Sequence, residues 1–240
     1  MTIGVIVSNY GRYDLTERCI KSFLKTTKGM DFRLVVVTTG LPNYEENTEL
    51  DIPEDKIFCH AKFNESMGKG YSQNVGRTIL QEKCKFLNIE EPDYYVYFDN
   101  DVMFREEWLE TGLEAYQKYS FKYPVLSFYQ GGAGSHQTCS QLVDNFKNGH
   151  PLKVVNSCQG ICWLMNKETA EVIGKVTTVK PISGIDWYVI RKLKQQMLVL
   201  EGYVEHIGFG HSTHRGESQS WDTQKNHDDM LKEKYGTVKD

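Results

Sequence analysis

Two continuous apolar runs, Ile3 to Val7 and Leu34 to Val37, bracket a stretch from about Tyr13 to Thr27 whose apolar residues recur at helical spacing. Runs this short and this apolar read as strands buried on both faces. Asn9-Tyr10-Gly11-Arg12 supplies turn chemistry before the helix. The order strand, loop, helix, strand is a βαβ unit, so the first strand, at Thr2 to Ser8, and the second, at Phe32 to Thr39, should run parallel with a right-handed crossover.

The alternation continues. Lys56 to His60 reads as a third strand, and Met67-Gly68-Lys69-Gly70 opens a long helix carrying Val75, Ile79, Leu80 and Leu87. Asp93 to Phe98 is an aromatic-rich fourth strand. Arg105 to Tyr119 resumes helical spacing, and Pro124 to Tyr129 is again strand-like. From Gly131-Gly132-Ala133-Gly134 a polar stretch reads as a loop. Beyond it come a strand at Gly160 to Met165, a helix capped by Asn166 and ended by Gly174, a helix from about Ile185 to Gln196, and a strand from Leu198 to Glu205. The predicted class is α/β: a Rossmann-like mixed central sheet flanked by helices.

At 240 residues the chain is sized for one domain, and none of its apolar runs approaches the length of a bilayer span. Met1 leads almost directly into a strand without the pattern of a secretory signal, which predicts a cytoplasmic protein. Its six cysteines (Cys19, Cys59, Cys84, Cys139, Cys158, Cys162) are scattered, mostly within apolar patterns, as reduced thiols are. Cys158 and Cys162 lack the second closely spaced pair a zinc site needs. A net charge of −4 provides no global attraction for polyanions, so nucleic acid is a possible partner that charge does not indicate.

Chemistry concentrates at Tyr95-Val96-Tyr97-Phe98-Asp99-Asn100-Asp101, an apolar strand that delivers two carboxylates where it leaves the sheet. Ligands of open α/β sheets bind at the carboxyl ends of the strands, and Mg²⁺ or Mn²⁺ takes one or two protein carboxylates plus phosphate and water oxygens. An Asp-rich turn that merely ends a strand is the plain structural alternative.

The triplet Asp99-Asn100-Asp101 resembles the DXD motif of GT-A fold glycosyltransferases, especially the family 2 type. Val5 to Asn9 resembles that family's first, nucleoside-facing strand. Gly68-Lys69-Gly70 with Asn74 resembles its glycine-rich turn and Asn-bearing helix, and Gly160 to Met165 the strand lining its donor and acceptor pocket. Ile185-Asp186 is similar to its Glu-Asp pair, and His206-Ile207-Gly208 with Ser212 to its late His segment. The likeness spans residues 2 to about 214.

What the resemblance implies is a GT-A domain over residues 1–240, with a nucleotide-binding half to about 101, an acceptor half to about 214 and a C-terminal flap beyond. Asp101 and Asp99, with His206, would hold Mn²⁺ or Mg²⁺, His211 being the competitor for the imidazole position. The donor, a nucleotide-diphosphate sugar of UDP type, would meet Val7, Asn9, Arg12, Thr38, Thr39, Gly70, Asn74, Asp99, Asn100 and His211. Asp186 would be the general base of an inverting transfer, and Trp163 and Trp187 would face a hydroxyl-bearing acceptor, a glycan or a hydroxymethylated DNA base. His211, His214, Arg215 and Lys225 would close over the diphosphate.

Two departures from the family pattern stand out. The second strand ends in Thr38-Thr39 where an Asp usually holds the base, and Ile185 precedes Asp186 where an acid is usual. The competing readings are a nucleotidyltransferase acting on sugar phosphates, whose glycine-rich basic N-terminal loop is not seen here, and a nucleotide-sugar binding module without turnover.

Overall fold

The structure is a computed structural model that describes residues 1–9, 13–40, 50–65, 68–128, 141–146, 149–156, 160–174, 193, 195–207 and 233. Its first half follows the expected order. Strand β1 (Ile3–Asn9) leads to helix α1 (Tyr13–Thr26), strand β2 (Phe32–Thr39), a single 3₁₀ turn at Glu54–Lys56 and strand β3 (Cys59–Phe63). Helix α2 (Lys69–Phe86), strand β4 (Tyr94–Asp99), strand β5 (Val102–Phe104) and helix α3 (Trp108–Tyr119) follow. The rest comprises strands β6 (Leu126–Ser127), β7 (Gln141–Asn145), β8 (Pro151–Val155) and β9 (Cys162–Asn166), helix α4 (Lys167–Gly174), and strands β10 (Met197–Leu200) and β11 (Val204–His206).

Nine strands form one sheet in the order β3-β2-β1-β4-β9-β6-β10-β8-β7, while β11 and β5 form a separate pair. β1 runs parallel to both β2 and β4, and β2 runs parallel to β3. The carboxyl ends of four strands therefore share one edge, and the strand order reverses between β1 and β4, where crevices for ligands form. β9 enters antiparallel beside β4, pairing Phe98 with Cys162, and the Asp99 amide donates to the Ile161 carbonyl at 2.9 Å. This pins the last residue of β4 against its neighbour.

Side chains of successive strand residues point to opposite faces, and the core divides accordingly. Ile3, Val5, Val7, Leu34, Val36, Val96 and Phe98 pack with Cys19, Ile20 and Phe23 of α1 and with Trp108, Leu109 and Leu113 of α3. Ile6, Val35, Val37, Tyr95 and Tyr97 pack on the other side with Leu80 and Cys84 of α2 and with Ala170 and Ile173 of α4. In α1, Asp14 in the first turn and Lys25 in the last complement the helix dipole.

The differences from the sequence reading fall on short or polar strands. The third strand lies at Cys59–Phe63 and not at Lys56 to His60, although the Phe58 amide already donates to the Leu34 carbonyl. Val102–Phe104 forms β5, and helix α3 begins at Trp108 and not at Arg105 because Glu107, at φ 61, stands in the left-handed region outside the helix. Within the polar region read as a loop after Gly131, residues from 141 form β7, paired with β8. The last predicted strand is two: Gly202, at φ 86, turns the chain between β10 and β11. Asn166 does cap α4, its side-chain oxygen accepting from the Thr169 amide at 2.9 Å. Cys19, Cys59, Cys84 and Cys162 are free thiols, and among the described residues no helix is long and apolar enough to cross a membrane.

Candidate nucleotide and metal site

Asp99 ends β4, and the turn Asn100-Asp101 carries the chain into β5. Strand alternation sends Asp99 to the same face as Tyr95 and Tyr97, the side covered by α2. There the Lys69 ammonium, on the first residue of α2, meets its carboxylate at 2.7 Å and the Gly160 carbonyl at 2.5 Å. Gly68, at φ 73, supplies the backbone geometry that lets α2 start directly above the strand ends. Burial pushes the Asp99 carboxyl above its ordinary value; Lys69 opposes this and the neighbouring Asp101 charge adds to it.

Asp101 is directed elsewhere. The separate β5 and β11 pair places His206 opposite Val102, and the Ile207 amide donates to the Asp101 carbonyl at 2.8 Å. The His206 Nε2 then lies 3.2 Å from Asp101 Oδ2, with side chains 14% and 6% exposed. A carboxylate and an imidazole more than a hundred positions apart thus converge at the strand edge. This oxygen and nitrogen pair fits a divalent cation of the Mn²⁺ or Mg²⁺ kind, which completes its shell with phosphate and water oxygens. Among the described residues no cluster of three or more His, Cys, Asp or Glu forms a metal cage.

Asn100 faces back into the fold and is buried. Its amide donates to Asn9 Oδ1 and to Thr16 Oγ1, each at 2.9 Å, and Thr16 Oγ1 donates to Asn9 Oδ1 at 2.9 Å. The Asn9 amide donates to Thr38 Oγ1 at 3.3 Å, and His60 Nε2 lies 3.0 Å from that hydroxyl. A continuous polar chain therefore runs from β3 through β2 and β1 to the acid turn. Burial, aided by Lys62, lowers the His60 pKa to about 4, so its imidazole is neutral. Ser8 Oγ and Gln73 Nε2 are buried with no hydrogen-bond partner among the described residues.

The structure brings Asn9, Thr38, Thr39, Gly70, Asp99, Asn100, Asp101 and His206 to one edge of the sheet. Val7 is buried in the core and can meet a ligand only through its backbone neighbours. Asn74 accepts from Arg77 Nη2 at 3.1 Å and lies against Gly174 at the end of α4. Trp163, 1% exposed, packs in the core with Tyr97 and Met165, so it offers an acceptor no open ring face. Arg12, Asp186, Trp187 and His211 lie outside the described residues, as do Tyr10, Ile185 and the flap residues His214, Arg215 and Lys225.

Sequence reasoning missed two members of this region. In the sequence Lys69 stands out only as part of a glycine-rich turn, and His60 only as a strand residue. The signal for Lys69 was a cation between two glycines at a helix start, opposite a strand that ends on an acid. His60 stands in a half-buried strand beside Lys62, an alternation that placed polar groups on one face.

No protein-family model and no curated protein sequence matches the chain. Solved structures do. TarS of S. aureus matches with a TM-score of 0.54 at 14% identity, over 84% of this chain and 58% of that one. The nucleoside-diphosphate-sugar pyrophosphorylase from Vibrio cholerae RC9 matches with a TM-score of 0.50 at 13% identity, over 86% of this chain and 95% of that one. The present chain thus spans a little over half of the TarS chain. At such identities the likeness is one of fold: a mixed α/β sheet with flanking helices, the GT-A arrangement.

Proposed function

We propose that the protein is a metal-dependent inverting glycosyltransferase that moves a sugar from a UDP-sugar-like donor onto a hydroxyl acceptor, a glycan or a hydroxymethylated DNA base. The observation that carries this reading is the convergence of Asp101 and His206 at 3.2 Å on the edge where the parallel strands end. Asp101 and Asp99, with His206, would hold Mn²⁺ or Mg²⁺, whose chemistry is to neutralise charge that develops on a departing diphosphate.

The chain's own residues divide the remaining work. Asn9, Thr38 and Thr39 are buried, and Asn9 and Thr38 are bonded to each other and to Asn100 and His60. They would therefore support the nucleoside end of the site from beneath, while Asn100 ties their network to the acid turn. Asp99 would also accept from a ribose or sugar hydroxyl of the donor. Asp186 is the proposed base, since an inverting transfer needs a carboxylate to take the acceptor proton as its oxygen attacks the anomeric carbon. Arg12 and His211 are proposed as donor contacts and Trp187 as an acceptor contact.

Asp101→Ala tests the assignment directly. Its turnover of UDP-sugars in the presence of Mn²⁺ should fall by about a hundredfold or more while the fold is retained; an unimpaired variant refutes the reading. A nucleotidyltransferase is the second reading, favoured by the likeness to a nucleoside-diphosphate-sugar pyrophosphorylase. Release of pyrophosphate from a nucleoside triphosphate and a sugar phosphate would decide for it.

A further inference from the structure

The ammonium of Lys69 occupies a place that a metal-dependent site reserves for something else. It sits 2.7 Å from Asp99 Oδ1 and 2.8 Å from Asp99 Oδ2, so it engages both oxygens of the first carboxylate of the acid turn. Both side chains are 23% exposed, which makes the pair stronger than a surface bridge. The same ammonium is held by the Gly160 carbonyl at the mouth of β9. Asp99 is therefore committed to an internal cation, while Asp101 turns to His206.

We propose that Lys69 is a positioning residue that holds Asp99 in the nucleotide-free protein and yields it to the divalent cation when a nucleoside diphosphate arrives, its ammonium then pairing with a phosphate oxygen. The inference rests on the glycosyltransferase reading above and names a regulation of that site. Charge explains the exchange. Two carboxylates separated by one residue repel each other, and Lys69 cancels one of them. A dication beside Asp101 brings like charge against the ammonium, and a diphosphate offers that ammonium a new anionic partner. Every charge keeps an opposite partner through the swap, so neither carboxylate is stranded unpaired in a partly desolvated site. Metal and nucleotide then assist one another's binding, because the nucleotide removes the cation that competes with the metal.

The test follows Mn²⁺ binding to the full-length protein by the electron paramagnetic resonance of the free ion, with and without UDP. Without UDP, Lys69→Met and Lys69→Gln should each bind Mn²⁺ at least about tenfold more tightly than the wild type, as expected when a competing charge leaves a carboxylate. With UDP present that advantage should vanish or reverse, and Lys69→Arg should keep the wild-type pattern. Equal or weaker Mn²⁺ binding by both neutral variants, in a protein whose wild type binds Mn²⁺ with UDP, overturns the exchange and leaves the proposed function standing. A wild type that binds no Mn²⁺ in the presence of UDP overturns both.

Discussion

His60 shows how one side chain can set an acid limit. Its imidazole is held neutral by burial and by Lys62, with a pKa near 4 against the ordinary 6.5, while the Thr38 hydroxyl bonds its ring nitrogen. In the unfolded chain it protonates once pH drops below about 6.5. The unfolded state therefore binds more protons between pH 6.5 and about 4, and stability must fall as pH falls through that window. The loss amounts to at most about 3 kcal/mol and levels off below the folded pKa. His60→Gln should flatten this part of a stability-against-pH curve measured by urea unfolding; an equal slope in the variant would show that other groups carry it. Thr38 and His60 also mark where residue-level reading stopped short. The absence of an acid at the end of β2 was legible, but the imidazole on the adjacent strand that completes its polar surface was not, because the pairing of β2 with β3 is a tertiary fact.

At the scale of elements, α2 owes its position to closeness as well as to apolarity. A Cβ added at Gly76 would lie 2.7 Å from Ile6 Cγ2 and 2.9 Å from Val37 Cγ2, side chains whose strands are both packed on the far face. Gly76→Ala should lower the urea midpoint by an amount equivalent to about 1–3 kcal/mol despite the better helix propensity of alanine. A raised midpoint would mean that the helix can lift off the sheet without loss. The pattern of apolar residues showed α1, α2, β1, β2 and β4 well because each is long or continuously buried. It failed for β5, three residues with no room for a period, and for β7, whose Gln141-Leu142-Val143-Asp144-Asn145 is mostly polar on an outer edge. It also merged β10 with β11, since Gly202 inside an apolar stretch carries no mark of a turn until its positive φ is seen. The acid turn itself was legible as chemistry, whereas the division of its two carboxylates between Lys69 and His206 depends on which helix and which strand lie on each side.

For the whole molecule, a site assembled from β1, β2, β4, α2 and β11 should report ligand binding as global stability. UDP with Mn²⁺, at a hundred times its dissociation constant, would contribute about 2.7 kcal/mol and raise the melting temperature by about 5–10 °C. Either component alone should do much less, and chelation should abolish the shift. Equal protection by UDP with and without Mn²⁺ would remove the metal from the reading. The net charge of −4 adds that any polyanionic acceptor must be held by a local surface, so binding to DNA should weaken steeply with salt if it occurs at all.

The pairing of His206 with Asp101 has a consequence for biosynthesis. The imidazole is translated more than a hundred codons after the carboxylate it faces, on a strand that, among the described residues, pairs with β5. A nascent polypeptide can form its parallel strands and acid turn while still tethered to the ribosome, yet it lacks the facing imidazole until β11 emerges. The contact between the two side chains is therefore a late event relative to β4 and β5, and a chain interrupted before Val204 would hold the acid turn without the imidazole that faces it.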